Sequence, residues 1–472
     1  MTQQEQQLVQ PAAYRRSVIV GVLLAAAFVS LLNQTLLIVA IPPIMNEFGI
    51  EPSRAQWVTT AFMLMNGIMI PVTAFLIERF GNRSLLVFAL GVFSFGTFLG
   101  AVSPNFAVLL AARIFQAMGA GILMPLMQTV LLTVFPPEKR GAAMGMGGLV
   151  IGFAPAIGPT LAGWIIDHFT WRYLFYTVLP VALLVLVLAV FLMKDVTVRR
   201  PVGVDVPSIV LSSFGWGGLL YASSMVGSVG WSDWQVIAGV LVGAAALVLF
   251  IRRQNRLESP MLNFRVFRYR EFTLTTFLAV FMFAVLIGVE TLLPIYVQNL
   301  RGGSALDSGL MLLPGAIVVG AMAPVAGRIY DKFGVREIAI AGFLFMVAGT
   351  LMLLGVGEST SFALMTVMYT VKMLGVSLLM TPLMTAGMNA LPFQLIAHGT
   401  AMSNTIRMVG GSIGTALMVS VMSAVAAAAG RQGVSDAMAE GIHAGLIVAL
   451  ILSAAGLAGS LFLSRKPKRP AR

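Results

Sequence analysis

Four ionisable side chains interrupt otherwise apolar stretches of this sequence: Arg113, Glu290, Lys372 and Arg407. Each costs ~2.5–3.5 kcal/mol at the centre of a membrane helix, so each calls for a partner or a function. Glu290 is the sole acid among them. Burial and a neighbouring cation act in opposite senses on a carboxyl group, and a group balanced between the two can release and rebind a proton. Glu290 is therefore the expected proton carrier, modulated by Arg113. The competing reading makes Glu290 a structural partner or a side chain snorkelling to the interface. Counted by helical rise from the nearer apolar-stretch end, Asn33, Arg113, Lys372 and Glu290 lie ~10–16 Å deep, in one layer. Arg407 lies ~10 Å from the opposite end by the same rule.

Around that layer, Asn33, Gln34, Gln116, Gln128, Tyr296, Gln298 and Lys372 are the expected cavity and substrate contacts. The 29 Met and 30 Phe supply soft, adaptable walls, although most must face lipid or neighbouring helices. Asn404 and Arg407 are expected to form an inner gate or a structural pair, and His398 to lie at the surface. Cysteine is absent and histidine scarce, so metal sites and thiol chemistry are not expected. No G-x-x-x-x-G-K-[ST] phosphate loop is present, so ATP is not the expected energy source and no cofactor is expected; a proton gradient would be energetically adequate. One proton crossing 100 mV releases ~2.3 kcal/mol. That sustains a ~50-fold concentration gradient.

The elements that must hold these residues are membrane helices. Only 10% of the 472 residues are charged and 58% are apolar, against about 25% charged in a soluble chain. That excludes a soluble enzyme, a disordered chain and a nucleic-acid binder, despite the formal charge of +12. A membrane enzyme would need clustered acids or histidines in its spans. A sensor would need a soluble signalling domain, and no segment outside the spans is long enough for one. A membrane helix takes about 20 apolar residues. Fourteen stretches meet that length: 18–41, 55–76, 84–102, 105–131, 144–166, 174–193, 208–228, 236–251, 273–297, 308–329, 337–356, 361–388, 400–427 and 442–463. The first is too long for a signal peptide and reads as a retained helix.

Basic residues orient the chain. With both termini in the cytoplasm, 23 of the 30 Lys and Arg fall in inside segments and four (Arg54, Arg172, Arg301, Arg431) outside. That asymmetry follows the positive-inside rule. The chain also repeats itself. PVTAFLIERFGNR (71–83) and PVAGRIYDKFGVR (324–336) match at an offset of 253. Both copies end the second helix of a six-helix block. Gly81 and Gly334 permit the positive φ of a short turn. Glu78 and Asp331 can meet a base or cap a helix N-terminus. Arg79, Arg83, Lys332 and Arg336 hold the loop at the anionic leaflet. Two copies in register favour a conformational latch over a merely anchored hairpin.

The expected organisation is a tail (1–17), a first six-helix bundle (18–193), a linker carrying two extra helices (194–272), a second bundle (273–463) and a basic tail (464–472). Span 144–166 is rich in Gly and Pro, including Gly152, Pro155, Gly158, Pro159 and Gly163, and can bend or approach a neighbour closely.

On these segments the sequence resembles the major facilitator superfamily, and within it the 14-helix drug:proton antiporters of the lincomycin-resistance type. LIERFGNR and IYDKFGVR resemble the family's loop signature and its second-half echo. LLAARIFQAMGAG (109–121), GFAPAIGPTLAGW (152–164), WRYLFY (171–176), LPIYVQ (293–298), SGLMLLP (308–314) and NTIRMVGGSIGTA (404–416) resemble further family segments in the family's order. Asn33 stands where the family's first helix usually carries an acid, as it does in the lincomycin-type subgroup. Ala74 and Glu78 replace the usual Gly and Asp of the loop motif.

The resemblance implies an all-α integral membrane fold of two pseudo-symmetric six-helix bundles plus two inserted helices, fourteen in all. It implies that Arg113 and Lys372 are symmetry-related bases on the fourth helix of each half, and that the Gly-Pro helix is a hinge between halves. It further implies a multidrug efflux antiporter, not an enzyme, in the bacterial inner membrane. Such an antiporter exchanges protons for amphipathic cationic or neutral toxic compounds by alternating access among membrane lipids. A periplasmic adaptor would be a partner in a Gram-negative cell. An exporter of a lipid or lipid-linked anion with the same fold is the alternative.

Overall fold

A computed structural model of the chain describes residues 16–37, 40–50, 52–55, 57–197, 203, 205–357, 360–429 and 434–465. The tail at 1–15 with Arg15, the bases Arg199, Arg200 and Arg431, the basic tail from 466, and the side chain of Pro159 lie outside the described residues.

Lipid offers no hydrogen-bond partner to a bare backbone, so the chain crosses as helices. Among the described residues, fourteen are long and apolar enough to span a membrane. They are α1 (Arg16–Leu36), α2 (Trp57–Phe80), α3 (Asn82–Ala101), α4 (Phe106–Val134), α5 (Arg140–His168), α6 (Tyr173–Leu192), α7 (Val206–Val229), α8 (Trp234–Gln254), α9 (Arg270–Ile295), α10 (Ala305–Phe333), α11 (Val335–Leu354), α12 (Phe362–Asn389), α13 (Ile396–Ala429) and α14 (Val434–Ser460).

The first span differs from the sequence expectation. α1 stops at Leu36, and Ile41–Phe48 forms a separate helix opened by Pro42 and Pro43 and ended by Gly49 at φ 59°. Proline is tolerated in a first helical turn and nowhere better, so the Pro pair starts a new helix rather than extending α1. At the far end of α9, Pro294 removes a backbone donor. The chain continues as one π turn over Tyr296–Leu300, which pulls Gln298 out of the helical register.

The two halves each have their own apolar core, one centred on α1–α6 and one on α9–α14. The inserted pair α7–α8 docks beside α2 and α13. Leu220 of α7 packs against Gly67 of α2, and Ser223 meets Ser412 of α13 at 2.6 Å. Asp205 caps α7 and accepts from Arg253 Nη2 of α8 at 2.8 Å, closing the pair at its basic end. Hydrogen bonds from Arg253 hold the Asp205 carboxyl below its ordinary range, against the smaller opposing effect of burial. The repeated turns are built as expected: Gly81 has φ 78° and Gly334 φ 93°, values open to glycine at no steric cost.

Candidate functional site

The predicted residues separate into three groups. In the first half, Arg113 is 1% exposed and fully committed. Its Nε donates to Val58 O at 3.1 Å, its Nη1 donates to Gln116 Oε1 at 2.8 Å, and its guanidinium lies 4.2 Å from the Phe62 ring centre. Gln116 then donates to Asn33 Oδ1 (3.2 Å) and Thr97 Oγ1 (2.9 Å). Asn33, Arg113 and Gln116 thus form one buried network. Gln34, beside Asn33, is only partly buried.

The second group is in the other half. Tyr369 Oη donates to Glu290 Oε1 at 3.1 Å. Lys372 is the cation whose charge acts on Glu290. Its Nζ lies 5.3 Å from the Tyr369 ring centre, is fully buried, and has no hydrogen-bond partner among the described residues. Among the described residues Arg113 makes no contact with Glu290. Arg113's hydrogen bonds and ring contact all stay inside the first half, and the cation whose charge reaches the carboxyl is Lys372, without an ion pair between them.

The expected pairing of Arg113 with Lys372 by symmetry is corrected. A Cβ built on Gly96 would sit 2.6 Å from Gln116 N, and one on Gly349 would sit 2.5 Å from Lys372 N. These two close helix crossings are equivalent, so Gln116 matches Lys372 and Arg113 matches Tyr369. The same offset of 256 aligns QTLL (34–37) with ETLL (290–293), making Gln34 the counterpart of Glu290. Gln298 donates to Ser308 Oγ at 3.1 Å beyond the end of α9 and is exposed, away from the central layer. Tyr296 is buried in the second core.

The third group joins the halves at the face carrying the basic loops. Asn404 Nδ2 donates to Gln128 Oε1 at 2.6 Å, and Arg407 Nη2 donates to Asn404 Oδ1 at 2.6 Å. Gln128, expected as a substrate contact, accepts this cross-link through its Oε1. Arg407 also lies 4.4 Å from the Phe283 ring centre. The free space that Gln128 and Arg407 border is about 10 Å³, room for one water at most. Further out, Asp331 accepts from Gly141 N and Ala142 N, each at 2.9 Å, and so caps α5 from the other half. Arg140 Nη1 donates to Asn389 Oδ1 at 2.9 Å. His398 Nε2 lies 3.2 Å from Glu78 Oε1. His398 is 5% exposed, which overturns its expected surface position. Arg83 donates to Val190 O within its own half. Arg79 and Lys332 lie over Phe80 and Phe333, and Arg336 is half-buried beside Gly334.

Glycines show how far this closure reaches. Gly141 meets Gly327, Gly145 meets Pro324, Gly148 meets Ala323, and Gly152 meets Gly320, so α5 and α10 touch backbone to backbone. Beyond Gly152 the partners diverge. Gly158 packs on Thr35 of α1, Gly315 packs on Tyr369 of α12, and a Cβ on Gly163 would meet nothing. Pro155 lies half-buried at the divergence, in an unbroken α5. The backbone contact between α5 and α10 thus runs from the basic face as far as Gly152, and Gly163, three turns on along the same helical face, has no such neighbour among the described residues.

Sequence reasoning missed Tyr369, Thr97, Asn389 and Arg140. Tyr369 was within reach, since it stands three residues before Lys372 on the same helical face. The others carried no signal, because they are unremarkable polar residues until another helix meets them.

The profile of the Major Facilitator Superfamily matches residues 23–415. The chain is 57% identical to the MFS-type transporter YcnB of Bacillus subtilis (strain 168), over 98% of each chain. It is 38% identical to the lincomycin resistance protein LmrB of Listeria monocytogenes, covering 95% of this chain and 97% of that one. Among solved structures, the human organic anion transporter MFSD10 superposes with a TM-score of 0.67 at 15% identity, over 92% of this chain and 99% of that one. That likeness concerns the fold alone.

Proposed function

The chain belongs to the major facilitator superfamily, a multi-pass membrane transporter rather than an enzyme, and from that membership we propose that it exports amphipathic toxic compounds in exchange for protons. The observation that carries the reading is the Glu290–Tyr369–Lys372 group. Glu290 is an acidic side chain inside a membrane-spanning helix, five residues before the end of α9 and ahead of the π turn that prolongs it. Tyr369 fixes one carboxyl oxygen, and Lys372, whose Nζ makes no hydrogen bond or ion pair among the described residues, acts on the carboxyl through its charge alone. Protonation of Glu290 uncouples it from Lys372, and deprotonation restores the attraction. That switches the charge of the layer without moving the backbone, which is the event a coupled carrier needs. The relatives' names, LmrB's lincomycin resistance among them, favour drug export as the task.

With the basic face cytoplasmic, the closed latch puts the protein in its outward-facing state. There substrate leaves and a proton enters. The cycle then requires Asp331, Arg140, Glu78 and Asn404 to release their partners together, so that α5 and α10 part at the basic face. A ligand or proton biases the two states only by its differential affinity for them.

The test is transport in proteoliposomes under an imposed pH gradient. Glu290→Gln should abolish proton-coupled export of a lipophilic cation or a neutral drug, with folding unchanged by circular dichroism. Full gradient-driven export by that variant overturns the assignment of the carrier. Lipid flipping with no drug transport by the wild type overturns the substrate class.

A further inference from the structure

A cleft of about 560 Å³ opens on the flank of the bundle, between α2, α7 and α8, remote from the central layer. Leu64 and Ile68 of α2 form one wall, Phe214 and Tyr221 of α7 a second, and Trp234 and Val242 of α8 a third. Its floor is made of glycine because α7 and α8 lie backbone to backbone. A Cβ on Gly218 would sit 2.9 Å from Gly239 O, and one on Gly243 would sit 2.9 Å from Leu219 N. Gly217 extends the floor toward α2, where a Cβ would come 3.2 Å from the Ile68 side chain. The wall residues face outward: Phe214 is 60% exposed, Trp234 72% and Val242 51%.

We propose that this cleft holds the hydrocarbon of one resident membrane lipid, with the lipid's polar end at Tyr221, Trp234 and Gln235. Three observations converge on that occupant. First, the cleft is cut into helices that span the membrane, so the medium at its mouth is hydrocarbon, which fills an apolar groove at no desolvation cost. Second, the groove runs along a spanning helix. Its α7 lining extends from Ser213 to Tyr221, about 12 Å at 1.5 Å per residue, in the direction in which acyl chains lie.

Third, the polarity is one-ended. Ser213 spends its hydroxyl on Ile209 O, leaving the depth of the cleft apolar. At the end opposite the basic loops, Tyr221 Oη donates to Gln235 Oε1 at 3.4 Å. This bond does not use the Gln235 amide N–H groups. With the indole N–H of Trp234 they are donors at the depth where lipid esters and phosphates lie, the level at which Trp and Tyr concentrate in membrane proteins. The lipid completes the packing of the inserted pair against the first half. On its other side the pair is already fixed to α13, by Ser223 on Ser412 and by Trp231 Nε1 on Ser420 Oγ at 2.7 Å.

The test uses the full chain in proteoliposomes containing phosphatidylglycerol with a photoactivatable diazirine in its acyl chain. Adducts are mapped by mass spectrometry. The expected result is at least threefold more adducts on Phe214, Ala238 and Val242 than on Phe191 and Leu184, exposed apolar residues of α6 that do not line the cleft. Ala238→Phe and, separately, Val242→Trp fill the cleft and should each remove the excess while leaving the α6 adducts unchanged. Equal labelling of the two regions overturns the proposal. So does an excess that survives both filled variants, or protein–protein adducts there without lipid adducts.

Discussion

Asp331→Ala should open the basic face. The carboxylate accepts two backbone N–H groups from the first turn of α5, at 2.9 Å each. Hydrogen bonds to a charged group contribute about 1.5–3 kcal/mol net. Asp331 is only half-buried, so water screens the pair, and the low end of that range is the fair figure for both bonds together. The anion also sits at the positive end of the α5 dipole, worth ~0.3–1 kcal/mol. The closed state therefore loses about 1.8–2.5 kcal/mol relative to a state in which the halves have parted. At 1.4 kcal/mol per decade, the closed-to-open ratio falls about 20- to 60-fold.

The chain has no cysteine, so paired cysteines introduced at Ser84 and Glu337 carry spin labels without background. Both positions are exposed on the basic face, one in each half. Double electron–electron resonance should show a longer-distance population growing in the variant. Asp331→Asn retains one neutral acceptor oxygen and should shift less. A distance distribution for Asp331→Ala that superimposes on the wild type refutes the latch, and with it the role assigned to the repeated motif.

Three further outcomes follow from the same contacts. Gly145→Val places a side chain where a Cβ alone would sit 2.7 Å from Pro324 Cα, so the same spin-label pair should report no closed population. Gln116→Leu removes one bond from Arg113, one to Asn33 and one to Thr97. It should lower stability in detergent by about 3 kcal/mol, read by thermal or denaturant unfolding. Asp205→Asn should show a pH-dependent loss. The Asp205 carboxyl is held below its ordinary range, so its stabilisation is present above the unfolded value of about 3.9 and disappears as pH falls through the lower folded value. The melting-temperature gap between wild type and variant should be full at pH 7 and close toward pH 3.

Much of this protein was legible in one dimension. Apolar length alone specifies fourteen crossings, because a backbone in lipid has no alternative to satisfying itself within a helix. The repeated loop was legible because a turn that short needs glycine at positive φ, and both copies supply it at matching positions, Gly81 and Gly334. The candidate chemical groups were legible because a charge in hydrocarbon is costly, so Arg113, Glu290 and Lys372 stand out from their neighbours.

Which of them meet was decided only by tertiary structure. Arg113 and Lys372 looked like a symmetric pair in sequence, yet the crossings at Gly96 and Gly349 make Gln116 the counterpart of Lys372. Helical periodicity fixes which residues share a face, but not which face a neighbouring helix presents. The same limit hid His398 against Glu78, Gln128 against Asn404 and Asp331 against α5. Each of these contacts joins residues far apart in the chain across the seam between the two halves. They exist only while α5 and α10 lie together, so they belong to a state of the molecule as well as to its sequence.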